Sequence, residues 1–112
     1  MATVDECRTA LQSLSARLDA NAAEVSGKVD LDRPLACTVR DLGIAFHGRL
    51  INGRLVGLAD GDDPGARIRL IASSDDLVAL ANGRLDLARA WTSGKVSINA
   101  NPFDLLKLRK LL

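Results

Sequence analysis

Tyrosine is absent from this chain, and two phenylalanines and one tryptophan are its only aromatic residues. So few aromatics cannot build the platforms on which single-stranded nucleic acids stack. The core must then be assembled from Leu, Ile, Val and Ala, side chains that line a loosely discriminating cavity more readily than a hydrogen-bonding pocket. An excess of one charge is lacking too. Fifteen basic and 14 acidic residues leave a formal net charge of +1, with no dense basic stripe, so no nucleic-acid partner is expected. Cys7 and Cys37 are too few and too widely spaced for a disulfide framework or a zinc site. No run nears the roughly eighteen apolar residues that a membrane span needs. The N-terminal MATVDECRTA carries acids where a signal peptide would carry an apolar stretch. These absences point to a cytoplasmic chain with reduced thiols, one domain over residues 1–112, holding no metal or cofactor.

Catalytic clusters are missing as well. The one histidine, His47, falls on the polar face of an expected strand, and no nucleophile motif accompanies it. A solvated surface histidine is the expectation. Asp60, Asp62 and Asp63 lack the spacing of a calcium loop and read as a turn kept soluble by its acids. No catalytic residue is assigned.

What is present is clear periodicity. Val4, Cys7, Leu11, Leu14 and Leu18 recur at spacings of three and four, one face of an amphipathic helix, which Asn21 to Gly27 then breaks. From Val29 to Ala72 the period becomes two. Leu35, Cys37 and Val39 alternate with Ala36, Thr38 and Arg40; Ile44, Phe46 and Leu50 with Ala45, His47 and Arg49; and Ile68, Leu70 and Ala72 with Arg67 and Arg69. Such strands keep one face on a core and one toward water, as in an antiparallel sheet. Arg40, Arg49, Arg67 and Arg69 are expected on the outer face as a plain solvated surface, the alternative being contact with anionic lipid headgroups or a partner's acidic patch. Asn52-Gly53 signals a type I′ hairpin, and DGDDPG from Asp60 to Gly65 a polar turn.

Helices return after Ala72. Ser73-Ser74-Asp75-Asp76 offers a hydroxyl cap followed by carboxylates at the positive helix end. Leu77, Leu80 and Ala81 share a face, and Gly83 suits a left-handed C-terminal cap. A second short helix, Asp86 to about Thr92, is expected to bury Leu87, Ala90 and Trp91 together. Val96, Ile98 and Ala100 mark a last strand, and Asn101-Pro102 starts a last helix. At about 100° per residue, Leu105, Leu108, Leu111 and Leu112 form one broad face of that helix. Phe103 and Leu106 fall away from it, so the helix is expected to touch two apolar surfaces.

The segment SSDDLVALANGRLDLARAWTSGKVSINA resembles the hallmark of the sterol carrier protein 2 family, in its small actinobacterial-type form. The matching residues are Asp75, Asp76, Leu77, Leu80, Gly83 and Leu85, then Ala90, Gly94, Lys95, Val96 and Ile98. The resemblance implies an α+β fold of about five mostly antiparallel strands, with helices on one face enclosing an apolar tunnel. It also implies non-catalytic binding and transfer of fatty acids, fatty acyl-CoA, sterols or phospholipids. On that footing the lining residues would be Phe46, Leu77, Leu80, Ala81, Trp91, Val96, Ile98, Phe103 and Leu106. The partner is then a lipid or sterol-like molecule, with room for transient membrane contact and for a homodimer or an enzyme partner. The alternative is a protein-interaction module in which Phe103 and Leu106 form a subunit or partner interface.

Overall fold

The computed structural model describes residues 1–20 and 32–111; the break expected at Asn21 to Gly27, and Val29, lie outside the described residues. Helix α1 spans Val4–Ala20. It opens on a reciprocal capping box: the Glu6 amide donates to Thr3 Oγ1, and Glu6 Oε1 accepts from the Thr3 amide, both at 3.1 Å. Two otherwise orphaned N–H groups are thereby satisfied. The expected stripe faces inward, with Cys7 and Leu11 buried and Val4, Leu14 and Leu18 half-buried.

Five strands follow: β1 (Asp32–Val39), β2 (Ile44–Ile51), β3 (Arg54–Asp60), β4 (Ile68–Ala72) and β5 (Val96–Asn99). They lie in the order β3-β2-β1-β4-β5. Every pairing is antiparallel except that of β1 with β4. Asn52 and Gly53 turn β2 into β3 with φ of 48° and 84°, the double positive φ of a type I′ turn that this pair adopts most readily. The register sets Phe46, Cys37, Leu70 and Ile98 side by side on one face and His47, Ala36, Arg69 and Asn99 on the other. Ala36, expected toward water, is fully buried. It is short and sits between the long His47 and Arg69 side chains of its neighbours on the outer face.

The inner face carries the helices. Helix α2 (Ser74–Ala81) is capped by Ser73, whose Oγ accepts from the Asp76 amide at 3.2 Å. Helix α3 spans Leu87–Thr92 and helix α4 spans Pro102–Leu111. Asn101 Oδ1 accepts from the Phe103 amide at 2.7 Å to start α4. Cys7 and Leu11 of α1, Leu77 of α2, and Leu87 and Ala90 of α3 close over Cys37, Val39, Phe46, Ala72 and Val96 in one apolar cluster. The architecture is α+β, with a mostly antiparallel five-stranded sheet covered by helices on this face.

Two expectations are corrected. Trp91 does not join Leu87 and Ala90 in the core; it is 38% exposed, because a six-residue helix buries only the narrow stripe running from Leu87 to Ala90. The terminal helix does not touch a second apolar surface through Phe103 and Leu106, which are 74% and 57% exposed. Its inward side is set by Asp104, which is buried and accepts from Arg33 Nε of β1 at 3.2 Å. That pair turns Phe103 and Leu106 outward. The side chains of Leu108, Leu111 and Leu112 lie outside the described residues.

Candidate functional site

Helix α2 ends in a Schellman motif. Gly83 takes φ of 75° and its amide donates to Leu80 O, while the Arg84 amide donates to Ala79 O at 2.8 Å. The left-handed step costs glycine no side-chain clash, and it swings the chain back toward the second half of α1. Helix α1 is held in place against β3: Ser15 Oγ donates to Leu55 O at 2.7 Å, Arg8 pairs with Asp60, and Arg54 pairs with Asp19.

Between α1 and the α2–α3 turn lies a cleft of about 610 Å³, within the size range of small-molecule sites. Its apolar lining comes from Leu14, Leu18, Leu80, Leu85 and Leu87. Arg17, Arg84, Asp86 and Arg89 also line it, and all four are exposed. Arg17 reaches across: a Cβ placed on Gly83 would stand 3.5 Å from Arg17 Nη1. The cleft opens to solvent.

Of the nine residues expected to line a tunnel, Leu80 lies in this cleft. Phe46, Leu77 and Val96 are packed in the apolar cluster behind it, with Ile98 against them, and Ala81 is buried nearby in α2. Phe46 also borders a smaller pocket of about 240 Å³ with Val4 and Ile44. Trp91, Phe103 and Leu106 stand outside the cleft, exposed. Arg17, Arg84, Leu85 and Arg89 were not singled out as site residues. Leu14 and Leu18 were visible on the stripe of α1, but which face of the turn they would meet was not.

The polar groups elsewhere are engaged structurally. His47 Nδ1 lies 3.0 Å from Gly61 O; a carbonyl can only accept, so this nitrogen carries the proton. Asp60 and Asp62 take Arg8 and Arg69, and Asp63 Oδ1 accepts from the Gly65 amide. Among the described residues no three metal-binding side chains converge. Burial pushes the Cys37 thiol up to about 12, with Cys7 adding to it, and burial raises Cys7 as well. A thiol held protonated is a poor nucleophile. What the cleft can do, on its chemistry, is bind: a row of aliphatic side chains offers apolar contact, and the guanidinium groups offer charge.

The model of the SCP-2 sterol transfer family matches residues 8–112. A crystal structure of sterol carrier protein 2 superposes with a TM-score of 0.67 at 18% identity, over 92% of this chain and 90% of that one. The solution structure of Sterol Carrier Protein-2 from Aedes aegypti, in complex with the C16 fatty acid palmitate, gives 0.61 at 14% identity, over 98% and 94%. A stereoselective inverting sec-alkylsulfatase from Pseudomonas sp. gives 0.64 at 28% identity over 88% of this chain, which spans 15% of the sulfatase's length. No curated protein matches.

Proposed function

The chain belongs to the SCP-2 sterol transfer family, and from that premise we propose that it binds and carries an apolar ligand without transforming it. The ligand classes in question are fatty acid, fatty acyl-CoA, sterol and phospholipid. The observation that carries the reading to a place on this molecule is the cleft of about 610 Å³ with its row of leucines. In this proposal Leu14, Leu18, Leu80, Leu85 and Leu87 contact the ligand. The aliphatic layer behind, with Leu77, Ala81, Val96, Ile98 and Phe46, yields as the ligand enters. Residues 1–112 act as one domain, and the setting proposed is the cytoplasm, where buried Cys7 and Cys37 stay reduced.

A neighbouring solved structure supports the ligand class: the Aedes aegypti protein holds palmitate. Few polar groups anchor the floor of the cleft, which favours weak selectivity for chain shape, since strong discrimination needs buried partners that a wrong ligand leaves unpaired.

A second reading has its own observation. The sec-alkylsulfatase carries a similar fold within a much longer chain, and Phe103 and Leu106 here are exposed apolar side chains on one side of α4. The chain would then be an accessory module with that side against an enzyme or a second copy.

Titration with a fluorescent fatty acid, displaced by unlabelled fatty acid, acyl-CoA and cholesterol, separates the readings. The carrier reading expects saturable, displaceable binding and a rise in melting temperature, of about 2.7 kcal/mol in stability at a hundredfold excess over Kd. No binding, together with a mass that grows with concentration and returns to the monomer in Leu106→Asp, would favour the module.

A further inference from the structure

We infer that the outward side of α4 is a docking surface for an anionic lipid bilayer, with Phe103 and Leu106 entering the headgroup layer and the basic residues of the helix meeting the lipid charge. The inference stands on α4 and uses no residue of the cleft, so it holds or fails apart from the carrier reading. Among the described residues Phe103 and Leu106 are, after Met1, the most exposed large apolar side chains. They stand three positions apart and are therefore neighbours on one side of the helix. The sequence around them is basic: Lys107, Arg109 and Lys110 against one acid, Asp104, within Pro102–Leu111. Position 107 follows Phe103 by four and position 110 follows Leu106 by four, so each returns to the same side one turn on. Asp104 is withdrawn from that side, buried where it accepts from Arg33. An acid left outward would repel acidic lipid; here its charge is spent within the fold.

Phenylalanine and leucine beside lysine and arginine make the composition of a helix that lies in the plane of a bilayer interface. At ten residues α4 is too short to span one, so the contact is peripheral. Its strength is that of a reversible contact. Inserting one Phe or Leu is worth about tenfold or more in partition, and one basic residue near an acidic surface about fivefold. A protein partner fits this side less well. A stable protein–protein contact buries about 800 Å² on each partner and draws on some twenty residues. Its core is also depleted in lysine, whereas two apolar side chains here stand within a lysine-bearing frame. Acidic lipid supplies what both halves of that frame call for, an apolar layer beneath a negative surface.

The test is sedimentation with vesicles of phosphatidylcholine alone and of phosphatidylcholine with about a third phosphatidylglycerol. The proteins are the wild-type chain, Phe103→Ser/Leu106→Ser, Arg109→Gln/Lys110→Gln and, as a control, Val56→Ser, an exposed apolar residue on β3. Phe103 and Leu106 are exposed, so their removal is expected to leave the fold intact, and circular dichroism checks every variant. The wild-type chain should partition at least tenfold more strongly onto the acidic vesicles than onto the neutral ones. The serine pair should lose about tenfold or more of that binding, and the glutamine pair most of the preference for acidic lipid. Raising salt from about 0.05 to about 0.5 M should also erase the preference, while Val56→Ser should behave as the wild type. Equal partition onto both vesicles, or binding untouched by the serine pair, would overturn the inference. So would absence of vesicle binding beside a mass that grows with concentration and falls to the monomer in Leu106→Asp, which would give this side to a second copy. Palmitate titration without vesicles keeps the two readings apart. The serine pair should bind palmitate as the wild type does, and a loss there would make these residues part of the ligand site and overturn the docking surface. Vesicle binding by a chain that takes up no palmitate would sink the carrier reading and leave this inference standing.

Discussion

Ser74 is fully buried, and three hydrogen bonds meet at its hydroxyl and amide. Its Oγ donates to Asp41 Oδ2 at 2.6 Å and accepts from the Ala2 amide at 3.0 Å, while its own amide donates to Asp41 Oδ1 at 2.7 Å. The Ser74 hydroxyl, more than any other neighbour, holds the Asp41 carboxyl below its ordinary 3.8. Asp60 and Asp62 are likewise lowered by their bonds to Arg8 and Arg69. A carboxyl depressed by folding contributes stability above its unfolded value and loses it as pH falls through the folded one. The melting temperature should therefore hold from neutrality to about pH 4 and decline below. Asp41→Asn should melt lower at neutral pH and lose less in acid, as thermal scans across pH would read. An identical acid decline in wild type and variant would remove Asp41 from the account. Single residues also mark where reading the sequence stopped. Ser73, Asn52-Gly53, Gly83 and Asn101 declared their caps and turns, because such roles are set by a residue's own donors and allowed φ. Ala36 did not declare its burial, which its cross-strand neighbours decide.

Among the elements, α4 is tied down by a contact far away in sequence. Asp104 is 3% exposed and meets Arg33 from 71 positions earlier. Replacing a buried carboxylate's partner or the carboxylate itself is costly, but Arg33 is 39% exposed, so solvent screens much of the effect. Asp104→Ala should cost about 1–2 kcal/mol and should speed amide exchange in α4 well before it does so in β1 or β4. Uniform acceleration across the sheet would mean that α4 is not the element released. Periodicity located the four helices of the described residues and most of their strands, since a period of 3.6 or 2 is a local property. It could not say what covers each side. Phe103 and Leu106 are apolar and yet exposed, for α4 is oriented by the Arg33–Asp104 pair, which no period reveals, and Trp91 is exposed because the six-residue α3 buries only one narrow stripe.

At the scale of the whole molecule the fold was more legible than the site. Helix, hairpin strands, paired short helices, last strand and last helix all follow from local signals, and their order carries the family resemblance that the match over residues 8–112 bears out. The cleft is another matter. Leu80 was named from α2, but the leucines and arginines facing it arrive from α1 and from beyond a left-handed glycine, and their meeting is a consequence of tertiary packing. The proposed lipid site lies between α1 and the α2–α3 turn. The measurement that tests it most directly is a palmitate titration followed by amide and methyl chemical shifts of the isotope-labelled chain. Saturable changes centred on Leu14, Leu18, Leu80 and Leu85 are expected. Changes centred instead on Phe46 and Val96, or no saturable change at all, would contradict it.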